Sequence, residues 1–186
     1  MPRPLLQILL AIAIGLAATY YWDPRPATTP DADTTARQLE LPKTYLQNTR
    51  SWSYGEEGDL RDILEAQSVE HFPQNNESLI NAPRFYSHSG DDKTWSATAD
   101  RGRFLHAGQR LLLRRDVVMT HDQTGARLDT QGLDIYLKKK LAVSRREVLL
   151  TQDNNRTRAD GMQANLIDET ISLGPNVEST YVPAPR

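Results

Sequence analysis

Four histidines, His71, His88, His106 and His121, are the side chains best suited to proton transfer or metal ligation. They are scattered, with no His-x-His, His-Glu-x-x-His or Glu-x-x-His spacing to bring two ligands onto one face. They read as ordinary surface or strand residues. The adjacent acids Glu56/Glu57, Asp91/Asp92 and Asp168/Glu169 sit beside Gly, Asn or Thr, the setting of turns. A glycosidase needs two carboxylates converging from separate strands, which adjacent acids cannot supply. Lys138-Lys139-Lys140, Arg114-Arg115 and Arg145-Arg146 fall at the ends of short apolar stretches. They read as a solvated rim, with a phosphorylated ligand as the alternative, because Arg and Lys supply charge-assisted donors.

No Gly-x-Ser-x-Gly elbow, P-loop or Gly-x-Gly-x-x-Gly occurs, so acyl-transfer and nucleotide-binding templates fail. The 186 residues include no cysteine, which excludes disulfides, thiol nucleophiles, Cys-ligated zinc, iron–sulfur clusters and a lipid-modified N-terminal Cys. With 22 basic against 24 acidic side chains the net charge is −2, which gives no bulk attraction to nucleic acid or anionic headgroups. The sequence points to no enzyme, no cofactor and no nucleic-acid partner.

The elements that would position these residues fall into two classes. Leu5 to Trp22 carries no charge and one amide, Gln7. As a helix it spans roughly 27 Å, close to a hydrocarbon core of about 30 Å. Arg3 precedes it and Asp23 follows it, which puts the N-terminus in the cytoplasm. Residues 1–4 are thus a short cytoplasmic start, 5–22 a transmembrane anchor and 23–45 a linker with Pro24, Pro26, Pro30 and Pro42. A cleaved signal peptide is the competing reading of the first segment. Either way the remainder is exported, and an exported domain without cysteine suits a bacterial periplasm. The last four residues, 183–186, form a tail.

Residues 46–182 alternate apolar and polar side chains in short stretches broken by Gly, Asn, Asp and Pro. Trp95-Ser96-Ala97-Thr98-Ala99, Leu133-Asp134-Ile135-Tyr136-Leu137 and Met162-Gln163-Ala164-Asn165-Leu166 are the clearest. Period two places one face of each strand on a core and the other on solvent. Ile171 to Leu173 and Val177 to Val182 add late strands, and Asp59 to Phe72 reads as strand rather than helix. The body also repeats. Gly102, Gly132 and Gly161 recur at intervals of about 30 residues, each followed at the same offset by a valine, Val118, Val148 and Val177. Strand pairs that cannot bury their faces alone must stack, so the expected class is all-β, an elongated antiparallel sandwich or jelly roll open at both ends. Unpaired strand edges there can accept a partner's strand.

Tyr54-Gly55-Glu56-Glu57-Gly58, running on to Ala66-Gln67-Ser68-Val69-Glu70-His71-Phe72, resembles the early pattern of the LptC family of lipopolysaccharide export proteins. Ala82-Pro83 followed by Trp95 to Asp100 is similar to its middle element, and Ala159 to Met162 with Leu173 to Tyr181 to its late one. The resemblance implies a β-jelly roll of the LptA/OstA type, anchored in the inner membrane, that passes lipopolysaccharide through an apolar groove. It implies docking on the inner-membrane ABC extractor LptBFG at the N-terminal end, through Gly58, and on periplasmic LptA at the other, through Val177 and Tyr181. Thr49, Ile80 and Tyr181 match interior positions expected to touch lipid, and Trp95, Ile135 and Ile171, apolar positions of three strands, complete the expected lining. A charge at Ile80 or Tyr181 is expected to block transfer and spare the fold. Many members carry a glycine where this chain has Arg115-Asp116, and another within Leu150 to Asn155. A membrane-anchored scaffold that binds proteins and not lipid is the second reading.

Overall fold

In the computed structural model, residues 41–89 and 92–182 are described, and alternation becomes strand over nearly all of them. The expected anchor, most of the linker and the tail lie outside the described residues. Among the described residues no helix is long and apolar enough to cross a membrane.

Among the described residues there are fourteen strands in one antiparallel network. In chain order they are β1 (Thr44–Tyr54), β2 (Leu60–Phe72), β3 (Glu77–Asn81), β4 (Arg84–Ser89), β5 (Asp92–Thr98), β6 (Arg101–Leu105) and β7 (Arg110–His121). There follow β8 (Arg127–Tyr136), β9 (Leu141–Ser144), β10 (Val148–Gln152), β11 (Asn155–Ala159), β12 (Met162–Asn165), β13 (Thr170–Leu173) and β14 (Glu178–Thr180). The segment read as strand from Asp59 to Phe72 is strand β2 from Leu60 on, and the first strand begins at Thr44, inside the segment read as linker.

Three long strands change neighbours halfway along. The first half of β2 pairs with β4 and the second with β3. Strand β7 pairs with β6 through Arg110–Arg114 and with β5 through Val118–His121. Strand β8 pairs with β10 through Arg127–Thr130 and with β9 through Asp134–Tyr136. Two walls result, joined along a seam where the chain bends. One holds β3, β6, β9, β12 and β13, the other β4, β5, β10, β11 and β14, and the long strands run through both.

The seam demands unusual backbone. Asn48, Ala82, Arg115, Asp116 and Asn176 all have φ between 44° and 66°, the left-handed region that costs an L-residue about 1–2 kcal/mol. At Arg115-Asp116 the β7–β8 register slips, a bulge that turns the strand from one wall into the other. Gly102 serves the seam differently: a Cβ on it would lie 3.0 Å from Pro83 Cγ, so only hydrogen lets β6 pass that ring.

Opposite the seam, the turns of the first wall repeat. Each ends on a left-handed residue: Asn76, Gln109, Lys140 and Glu169. The carbonyl of each of the first three accepts an amide from the next turn, from His106 (3.1 Å), Leu137 (3.0 Å) and Leu166 (2.9 Å). This ladder is the structural form of the repeat seen in the sequence. Gly102, Gly132 and Gly161 precede or occupy first-wall strands, and Val118 and Val148 lie in second-wall strands.

The interior between the walls is filled from β7 onward. Leu111, Leu113, Leu133, Ile135, Ala142, Val148 and Ala164 have no exposed surface. Burying a Leu or Ile contributes roughly 1.5–3 kcal/mol, so this central block holds the walls together. The rims differ. Among the described residues strand β1 pairs only with β2, β13 only with β12 and β14 only with β11, leaving an unpaired edge at each end.

Candidate functional site

A cavity of about 640 Å³ opens between the walls at the β1 end. Its apolar lining comes from Leu64, Val69, Ile80, Phe85, Phe104 and Leu111, contributed by strands of both walls. Strand β1 closes it with Leu46, Thr49, Ser51 and Ser53, so small polar side chains face inward. Tyr45, Trp52 and Tyr54 point the other way and are half or more exposed. The edge strand is inverted relative to the others, with its aromatics outside.

Charged groups mark the inner end, where Arg61, Asp62 and Lys138 join the lining. Lys140, the last of the three lysines, lies in the interior and is not part of the solvated rim that the lysine run suggested. Its ammonium donates to Asp62 Oδ1 (2.7 Å), Ser87 Oγ (3.2 Å) and the Arg61 carbonyl (3.1 Å). Asp62 and Ser87 are cross-strand neighbours on β2 and β4, so one first-wall turn reaches across to the second wall. A second such link lies one turn further on. His121, 5 % exposed at the end of β7, meets Glu169 Oε2 at 3.0 Å. The Thr124 amide donates to His121 Nδ1, which leaves Nε2 to carry the proton toward Glu169. At the equivalent position of the first repeat, the Gln109 side chain faces the cavity and makes no such link.

Two further histidines meet on the cavity wall. Ser78 Oγ lies 3.1 Å from His71 Nδ1 and 2.9 Å from His106 Nε2. One hydroxyl proton serves only one of them, so the other ring presents N–H to the oxygen. Burial, reinforced by charge on His71, holds the His106 imidazole below its ordinary 6.5. Among the described residues the dyad meets no carboxylate, and its hydroxyl-bridged rings form part of the cavity wall. Among the described residues no group of three or more His, Asp or Glu could hold a metal ion.

The residues singled out from the sequence scatter along the roll. Thr49 and Ile80 line the cavity. Trp95 and Ile135, 2 % and 0 % exposed, lie in the filled interior beyond it, and Trp95 packs edge-on against His121. Ile171, on β13, is half-buried at the far end. Tyr181 is 73 % exposed after β14, and Val177 is half-exposed before it. Gly58 sits in the β1–β2 turn with φ +86°, a conformation that glycine alone adopts without strain. Ile80 is only 3 % exposed, so a charge there would be buried and would cost the fold as well as any ligand. Arg61, Asp62, Gln109 and Lys138 were not marked by the sequence as cavity residues, since the run of lysines carries no sign of which one turns inward.

A family model described as lipopolysaccharide-assembly, LptC-related, matches residues 10–182. The chain belongs to the LptC family. Membership gives it a role in lipopolysaccharide transport. Among solved structures, the roll is similar to LptH, the LptA-homologous periplasmic component of the lipopolysaccharide transport device of Pseudomonas aeruginosa. The TM-score is 0.52 at 8 % identity, over 66 % of this chain and 95 % of that one, which establishes a shared β-jelly-roll fold. No curated protein matches at a significant level.

Proposed function

We propose that this LptC family member carries lipopolysaccharide from the inner-membrane ABC extractor LptBFG to periplasmic LptA, with residues 5–22 anchoring it in the inner membrane. The observation that carries the reading is the cavity between the walls at an unpaired edge strand. Acyl chains entering it gain about 0.8 kcal/mol for each buried methylene. Strand β1 would receive the extractor and β13 and β14 would receive LptA, each through backbone hydrogen bonds that prolong a wall. Energy comes from ATP hydrolysis in the extractor, and this chain contributes a binding site and two compatible edges.

Photo-crosslinking tests it. A benzophenone side chain at Thr49, which lines the cavity from the edge strand, is expected to give a lipopolysaccharide adduct that depends on ATP and the extractor. Absence of any adduct there, with the chain assembled on the extractor, refutes the carrier reading. The filled interior beyond the cavity favours a second reading for that half of the roll, a protein scaffold. Under it the purified body binds LptA and no lipopolysaccharide.

A further inference from the structure

The inner end of the cavity carries an imbalance of charge. Arg61 and Lys138 are the two cations of the lining and Asp62 is its one carboxylate, with the Lys140 ammonium buried behind it. That carboxylate is already taken: the Lys140 ammonium holds it at 2.7 Å inside the fold. Arg61 and Lys138 have no acidic partner among the described residues, although Arg61 is half-buried. Two uncompensated cations, Arg61 half-buried and Lys138 exposed, therefore line the same apolar cavity. An unpaired guanidinium in a partly desolvated position is costly, and an anion of the ligand relieves that cost through charge-assisted hydrogen bonds. The anion must also accept a planar fork and an ammonium together, which a phosphoryl group does with its three oxygens.

We infer that Arg61 and Lys138 bind the phosphoryl headgroup of an anionic amphiphile whose acyl chains occupy the cavity beside them. The inference rests on the carrier reading and deepens it, because it orients the lipid: phosphate at the inner end, chains toward Ile80, Phe85 and Leu46. Lys140 has a separate task. By neutralising Asp62 it removes the one charge that would repel the headgroup.

Binding of two probes to the full chain in detergent decides the matter: a bisphosphorylated lipid A glycolipid and its fully dephosphorylated counterpart. The native chain is expected to favour the phosphorylated lipid by about tenfold, two partly solvated charge contacts at roughly half a decade each, with the preference shrinking as salt rises. In Arg61→Gln/Lys138→Gln the two lipids bind alike, at the affinity of the dephosphorylated one. Lys139→Gln, altering an exposed neighbour outside the cavity lining, keeps the preference. Equal binding of both lipids by the native chain overturns the inference and leaves the carrier reading standing. So does a preference that survives the double substitution, or one that Lys139→Gln abolishes equally, which marks bulk charge. Binding of neither lipid overturns both. Inorganic phosphate separates the sources: failure to displace the phosphorylated lipid at millimolar concentration supports a lipid headgroup, and full displacement marks a site for free phosphate and overturns the lipid assignment.

Discussion

Replacing Lys140 by methionine removes an ammonium whose three protons all have acceptors inside the fold, and leaves Asp62 behind. Lys140 and Asp62 have side chains 7 % and 8 % exposed, so the abandoned carboxylate has little access to water. Breaking a buried pair by removing one partner typically costs 3–5 kcal/mol, because a buried charge is left uncompensated. For a domain with total stability of order 5–15 kcal/mol that is a fifth or more of the whole. With a urea slope near 2 kcal/mol/M, Lys140→Met is expected to lower the unfolding midpoint by about 2 M at unchanged slope. Asp62→Asn/Lys140→Met removes both charges and is expected to lie within about 1 kcal/mol of the native chain, since neutral replacements of buried pairs are often nearly neutral overall. The cycle of two single variants and the double isolates the coupling. A cost below about 1 kcal/mol for Lys140→Met refutes the picture of a dehydrated link between the walls. A double variant as weak as the single one refutes the electrostatic explanation and assigns the loss to the lysine stem.

Further outcomes follow from other positions. Gly102→Ala places a methyl 3.0 Å from the rigid Pro83 ring and is expected to cost about 1–3 kcal/mol in denaturant unfolding. Arg115→Gly relieves a left-handed residue (φ 65°) whose side chain is exposed, and is expected to leave the thermal midpoint equal or a few degrees higher, whereas Arg115→Val lowers it. His106 binds its proton less readily folded than unfolded, so between its depressed folded value and 6.5 the unfolded chain holds more protons. Stability from this group is therefore complete above 6.5 and declines as pH falls through the folded value. Unfolding midpoints measured from pH 8 to 5 are expected to fall less steeply in His106→Gln. Ile80→Ala should cost about 2–5 kcal/mol in unfolding and enlarge the cavity, which binding of a bulkier acyl probe would register.

Sequence pattern reached furthest where a strand buries one full face. Trp95 to Thr98, Leu133 to Tyr136 and Met162 to Asn165 alternate because their inward side chains meet a packed interior, and they are strands β5, β8 and β12. Strand β1 was missed at its start for the opposite reason. Its inward residues Thr49, Ser51 and Ser53 face open space and its aromatics face solvent, so alternation is present with its polarity reversed. The pairing of Lys140 with Asp62 joins residues 78 apart and has no local signature. Nor does Arg115-Asp116 announce a bend, since Arg does not favour the left-handed region that Asp116, Asn48 and Asn176 accept more easily. Gly102, Gly132 and Gly161 did reveal the repeat, although its clearest marker is conformational: the left-handed turn residues Gln109, Lys140 and Glu169, which share no chemistry.

The ladder of first-wall turns makes the molecule modular along its length. Each rung hands one carbonyl to the amide of the next, and nothing in that exchange depends on side-chain identity. A block of two strands, one turn and one seam crossing could be inserted or removed without altering the cross-section, much as a solenoid gains or loses a coil. Reach across a compartment would then be a matter of rung number, adjustable by duplication of a short stretch of gene, while cargo selectivity stays with whichever rung leaves its turn residue unfastened.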